Sequence, residues 1–138
     1  MKNILQILTA LFCINSAINA NNFAYMKEIS LKKDEQKKIL VKYDDRERLF
    51  KFRWTLFIND GLVVHRAYDK IVSQNILYLN GKNQSFKVEL STRGANYYEV
   101  PYVLVKFKEF DSGKNEAVFN IFLYDKENEI KWKFLKNK

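Results

Sequence analysis

The stretch from residue 48 to residue 64, RLFKFRWTLFINDGLVV, constrains this chain more than any other. Phe50, Phe52, Trp54, Leu56 and Ile58 alternate with Lys51, Arg53 and Thr55, the period of two expected of a strand with one buried face. Phe57 is the apolar exception on the polar face. Asn59-Asp60-Gly61 then turns the chain, with Gly61 able to take positive φ at little cost and the Asn and Asp before it tolerating the same region, and Leu62-Val63-Val64 opens a second β-branched run. The rest of the chain has to supply strands that pack against this hairpin.

It does so at short intervals. Residues 28–32 alternate and predict a first strand, Lys33-Asp34-Glu35-Gln36 turns, and residues 37–43 (KKILVKY) form a second apolar run. A helix capped by Ser30 competes over residues 30–40. Strand is preferred because the apolar residues fall at 29, 31, 39 and 41, not along one helical stripe. Asp44-Asp45-Arg46-Glu47 is a charged turn into the central hairpin. Residues 62–71 read as one strand, with Leu62, Val64, Arg66 and Tyr68 on one face and Val63, His65, Ala67 and Asp69 on the other. Residues 76–79 are the next, closed by Asn80-Gly81 as another two-residue hairpin.

Phe86, Val88 and Leu90 alternate in a further strand, and residues 91–96 connect it to the longest run, residues 97–110 (YYEVPYVLVKFKEF). Pro101 cannot donate to a ladder, which makes this run an edge strand there or a bulged one. Tyr98, Val100, Tyr102, Leu104 and Phe110 share one of its faces; Tyr97, Pro101, Val103, Val105 and Phe107 share the other. Residues 111–115 form a loop. Ala117, Phe119, Ile121 and Leu123, then Ile130, Trp132 and Phe134, complete the set, with a turn at 125–128.

Short strands with regular turn signals, and no helix preferred over a strand, predict an all-β antiparallel fold. The expected architecture is a single β-sandwich of immunoglobulin-like type with Trp54 at its centre; a small β-barrel is the alternative. The Cys…Trp…Cys spacing of true immunoglobulin domains is absent.

Residues 1–20 read as a cleavable signal peptide. Lys2 supplies a basic start, residues 4–14 an apolar run too short for a membrane span, and Ile18-Asn19-Ala20 a cleavage site. Phe12 before Cys13 is too bulky for a lipid-attachment signal. The domain proper is then residues 21–138. Cleavage removes one of the 24 basic residues and none of the 16 acidic ones, lowering the net charge from +8 to +7. It also removes the only cysteine, so a domain of this kind stands on its apolar core without disulfides and without thiol chemistry. A Lys-, Asn-, Ile- and Phe-rich chain with one Pro and 4 Gly fits an AT-rich bacterial genome, where such a leader delivers to the periplasm or beyond the cell.

Catalytic signatures are missing. His65 is the only histidine, it lies mid-strand beside Arg66, and no G-x-S-x-G turn or second metal ligand accompanies it. Asp69 is the nearest carboxylate on which an unfamiliar enzyme could be built. Asp44, Asp45 and Glu47, like Asp125, Glu127 and Glu129, lie in turns and lack the separation of a glycosidase pair or the glycine of a calcium loop. Asn83-Gln84-Ser85 matches a glycosylation sequon that arises readily by chance. No cofactor is expected.

The expected function is therefore a non-catalytic interaction module of the cell envelope. Its expected surface is Tyr98, Val100, Tyr102, Lys106 and Lys108, where rings and cations share the long strand, and its expected partner is another envelope protein. An anionic membrane surface or a glycan would also suit the basic residues. Nucleic acid is not expected, because the chain is exported and Glu99, Glu109, Glu116 and Glu127 interrupt the positive field. A carrier holding an apolar or anionic small ligand inside a barrel is the alternative.

Overall fold

The computed structural model describes residues 23–90, 100–127 and 129–137; the leader assigned to residues 1–20 lies outside them, as does Tyr98. The described residues form nine strands: β1 (Tyr25–Lys32), β2 (Lys37–Tyr43), β3 (Arg46–Ile58), β4 (Gly61–Tyr68), β5 (Ile71–Tyr78), β6 (Ser85–Glu89), β7 (Tyr102–Asp111), β8 (Glu116–Tyr124) and β9 (Lys131–Phe134). They make two antiparallel sheets, one of order β1-β8-β7-β6 and one of order β5-β4-β3-β2-β9. The strand reading of residues 30–40 holds, but β1 and β2 lie in different sheets, so residues 33–36 cross between layers.

The layers meet over one apolar core. Ile39, Val41, Phe50, Phe52, Trp54, Leu62 and Val64 of the five-stranded sheet face Phe86, Val88, Val103, Val105, Phe107, Phe119 and Ile121 of the four-stranded one. Phe52 meets Phe119 edge-on at 5.4 Å, and Phe86 edge-on at 6.1 Å. Trp54 Nε1 donates to the Leu31 carbonyl at 2.8 Å, a buried hydrogen bond from one layer to the other. The architecture is thus two packed sheets, compatible with a sandwich. In immunoglobulin domains the sheets interleave as ABED and CFG; here β2 to β5 run consecutively in one sheet and β6 to β8 in the other.

Turn chemistry explains that succession. Asp44-Asp45, Asn59-Asp60 and Asp69-Lys70 all have both residues at positive φ, between 48° and 68°, the signature of the two-residue turn that matches strand twist. Asn and Asp tolerate this region better than most residues. At the central hairpin the expectation for Gly61 is corrected. Asn59 and Asp60 carry the positive φ, and Gly61 is small for a different reason: a Cβ there would lie 3.1 Å from both Ile76 and Tyr78. The single strand expected over residues 62–71 is also corrected, since Asp69-Lys70 folds it into β4 and β5. Asn80-Gly81 closes no hairpin; it lies in the passage from β5 to β6 in the opposite sheet.

Two bulges reset the side-chain phase. The β3–β4 register shifts between Trp54 and Leu56, and the β7–β8 register between Phe107 and Glu109. An extra residue turns everything beyond it to the other face. Leu56 and Ile58, expected in the core, are 47% and 57% exposed, while Phe57 turns inward. Phe110 leaves the face of Tyr102 in the same way. The two inverted rings stack at 4.0 Å and close one end of the core. Past the ends of β2 and β6 the backbone still finds partners: Asp34 N–H donates to Trp54 C=O at 2.9 Å, and Gln84 bonds both the N–H and the C=O of Phe107.

Strand β7 begins at Tyr102, and Pro101 stands just ahead of it, its carbonyl accepting from Leu90 N–H at 2.9 Å. Neither explanation offered for Pro101 is needed: β7 is central, between β6 and β8, and its bulge falls at Lys108 instead.

Candidate interaction surfaces

Of the residues singled out for an interaction surface, Tyr102 and Lys106 share the outer face of the four-stranded sheet, and Tyr98 lies outside the described residues. Tyr102 lies on the outer face of the four-stranded sheet, half-buried, stacked on Tyr124 at 4.9 Å and edge-on to Phe23 at 6.4 Å. Phe122 continues this row of rings, 5.0 Å from Phe23. Lys87 Nζ sits 4.2 Å over the Tyr102 ring, a cation–π contact. Lys106 is exposed on the same face, opposite Ser85 and Asn120. Lys108, at the bulge, is engaged by Glu28 of β1 through a hydrogen-bonded ion pair, which raises its pKa. Val100 is half-buried before the strand starts. Because both long edges of β7 are paired, a partner strand cannot add there.

His65 projects from the outer face of β4, opposite Arg53 and Gln74. Asp69 does not join it: its carboxylate pairs with the Arg48 guanidinium at 3.4 Å, across the mouth of the core. The acidic turns have structural work. Asp125 is buried and accepts the backbone N–H groups of Glu129 and Ile130 at 3.0 and 2.9 Å. Among the described residues, no group of three or more His, Cys, Asp or Glu side chains could hold a metal ion.

Exposed apolar side chains of the described residues also group on the other sheet. On the outer face of the five-stranded sheet, Leu56 and Ile58 of β3, Val63 of β4, and Ile76 and Tyr78 of β5 adjoin through cross-strand pairs Leu56↔Val63↔Ile76 and Ile58↔Gly61↔Tyr78. The absent side chain at Gly61 lets Ile76 and Tyr78 lie close over the β3–β4 turn. The next rows of the same face are basic: Arg53 beside His65, and Lys38 beside Lys51 beside Ala67. A shallow cleft of about 240 Å³ opens there, lined by Gln36, Lys51, Arg53, His65, Ala67 and Val72. Lys38, Lys51 and Arg53 form no ion pair among the described residues.

Two signals pointed to this surface. Residues 71–78, IVSQNILY, carry no charge in a chain that is 29% charged. Phe57 broke the alternation of β3 and so marked the phase change.

Between the sheets, on the β5 and β6 side, Arg66 ties the layers together. Its Nε donates to Ser73 Oγ at 2.8 Å, its Nη1 to the Lys87 carbonyl at 2.7 Å, and its guanidinium lies 4.8 Å from the centre of the Phe86 ring. Burial lowers its pKa. Tyr68 O–H donates to the Leu90 carbonyl at 3.1 Å, and burial raises its pKa. The remaining gap is a cleft of about 180 Å³ between Arg66, Tyr68, Ile71, Ser73 and the β6 backbone.

Comparison with protein-family models, with curated proteins and with solved structures finds no significant match.

Proposed function

We propose that this chain is an exported, non-catalytic β-sandwich module that docks on another protein of the cell envelope through the outer face of its five-stranded sheet. The observation that carries the reading is the contiguous exposure of Leu56, Ile58, Ile76 and Tyr78, at 47%, 57%, 45% and 37%. Large apolar side chains grouped on an outer face lose free energy to water unless something covers them. The basic rows of Lys38, Lys51 and Arg53 beside them suit a partner whose apolar contact is bordered by carboxylates. A glycan would engage the cations and leave the apolar end unserved.

A second reading keeps docking on the four-stranded sheet, at Tyr102 and Lys106. The ring row Phe23, Tyr102, Tyr124 and Phe122 favours it. The carrier alternative draws no support from the interior, where Phe52 and Trp54 leave 0% and 1% of their surfaces accessible.

A photo-crosslinking residue placed at Ile58, and separately at Tyr102, decides between the faces when the chain is exported by its own host. The reading expects a discrete adduct with one envelope protein from Ile58 in the periplasmic fraction, lost on Ile76→Asp. Adducts from Tyr102 alone would move the docking face to the other sheet. Absence of adducts from both sites would refute the module reading.

A further inference from the structure

Among the described residues, one long edge of strand β5 has no strand paired to it. In a two-residue hairpin the closing residues exchange both backbone hydrogen bonds. With Tyr68 opposite Ile71, the residues Ile71, Ser73, Asn75 and Leu77 therefore turn their N–H and C=O groups toward β4. Val72, Gln74 and Ile76 turn theirs to the open side. Tyr78, next in the outward series, confirms the alternation: its N–H is taken by the Asn83 carbonyl at 2.9 Å. The open stretch runs from Val72 to Ile76, bounded by Asn83 at one end and by the Asp69-Lys70 turn at the other.

Natural edges are usually blunted by shortness, charge, proline or a bulge. The other three edges are. Strand β9 has 4 residues with two lysines, β6 has 5 with Lys87 and Glu89, and β1 carries Lys27, Glu28 and Lys32. Strand β5 has 8 residues, no charge, no proline and a continuous register with β4.

We propose that β5 pairs antiparallel with β5 of a second copy of this chain, about a two-fold axis at Gln74, so that the two five-stranded sheets become one. This register is singled out by the open stretch itself, whose centre is Gln74. Gln74 then faces Gln74 of the second copy, and Val72 faces Ile76, each as a hydrogen-bonded pair using only groups that point outward. Moving the axis to Asn75 would set Val72 against Tyr78, whose N–H is already occupied.

The side chains match in the same register. The apolar row Leu56, Val63, Ile76 continues into Val72 and Ala67 of the second copy, and the polar row Arg53, His65, Gln74 continues into Gln74 and His65. Val72, 73% exposed in the single chain, is thereby placed beside Ile76. On the inner face Ser73 of the second copy falls opposite Asn75, whose buried Oδ1 has no hydrogen-bond partner among the described residues. Repulsion between two basic chains does not forbid the pairing. The two Arg53 residues would be five strand spacings apart, about 24 Å, well beyond the screening length of roughly 8 Å at physiological salt. The proposal concerns the strand edge: it lengthens the apolar row of the outer face without covering it, and Gln74, on which its test rests, lies outside the docking patch.

The test uses the chain purified after export, in a Cys13→Ser background so that an introduced cysteine is the sole thiol. Gln74→Cys sets two Cα atoms about 5.5 Å apart across the two-fold, within disulfide range. Val72→Cys sets its two copies roughly 14 Å apart, outside that range. The expected results are a disulfide-linked dimer from Gln74→Cys, none from Val72→Cys, and a concentration-dependent dimer of the parent protein in sedimentation equilibrium. Gln74→Lys, which opposes two like charges at the axis, should raise the dimer Kd by about fivefold. Gln74 is exposed, and far-UV circular dichroism checks that each variant folds. A parent protein that stays monomeric overturns the proposal. So do equal crosslinking from both cysteine variants, a dimer indifferent to Gln74→Lys, and growth into open-ended fibres.

Discussion

Replacing Trp54 by phenylalanine tests how the two layers are held together. Trp54 is 1% exposed, and its Nε1–H crosses from β3 to the Leu31 carbonyl of β1 at 2.8 Å. Trp54→Phe keeps an aromatic ring in the core but removes that donor. A buried carbonyl left without its donor costs about 1–3 kcal/mol. The smaller ring leaves a void of roughly 40 Å³, worth about 1 kcal/mol at ~24 cal/mol per Å³. The edge-on contact with Phe110, 5.5 Å between centroids, is kept in part. The expected loss is about 2–4 kcal/mol, a large share of the stability of a domain this size, and it lowers Tm by roughly 8–16 °C. Urea unfolding followed by far-UV circular dichroism measures it without relying on tryptophan emission. The slope m should stay constant, because the same surface is exposed on unfolding. Trp132→Phe is the control: that ring is half-buried against Tyr25 and Phe134, and its replacement should cost under about 1 kcal/mol. A loss below about 1 kcal/mol for Trp54→Phe, at unchanged m, would refute the account of the inter-sheet bond.

Three further outcomes follow from the geometry. The bulge in β3 predicts opposite results for neighbours: Ile58→Asp should change urea stability by no more than about 0.5 kcal/mol, whereas Phe57→Asp should cost more than about 3 kcal/mol by burying a charge beside Phe107 and Phe110. Lys70 holds a φ of 68°, which a β-carbon disfavours, so Lys70→Gly should raise stability by about 0.5–1 kcal/mol in the same assay, net of the freedom glycine adds to the unfolded chain. Burial first, then neighbouring carboxylates, raises the pKa of Tyr43; burial also raises that of Tyr68. Above the unfolded pKa of 10.0 the native state keeps protons that the unfolded chain has released. Stability should hold up to about pH 10 and fall as pH rises through the folded values, and Tyr68→Phe should make the fall shallower in a pH series of urea titrations.

How much of this was legible in the chain can be seen at the turns and the bulges. Asp44-Asp45 and Asn59-Asp60 announce themselves because Asn and Asp accept positive φ, and the alternation of Phe50, Phe52 and Trp54 states which face is buried. Asp69-Lys70 makes the same turn with a lysine, a residue without turn character, and only the pairing of β4 with β5 holds it there. Asn80-Gly81 has the stronger hairpin signature and closes none, because β5 and β6 face opposite layers. The face expected for Phe110 was misjudged for a related reason. Counting alternate residues from Tyr98 to Phe110 assumed an unbroken phase, and the bulge at Lys108 breaks it.

The amino-acid sequence alone determined that this chain makes short antiparallel strands and which residues are fit to fill a core, since backbone sterics and burial act on each residue and its neighbours. Tertiary structure decided which strands share a sheet, where the phase inverts, and which edge is left open. Those outcomes depend on pairing partners far away in sequence: Phe57 is a core residue only because the β3 bulge lets it meet Phe110, and β5 is an edge only because the chain leaves for the other layer after it.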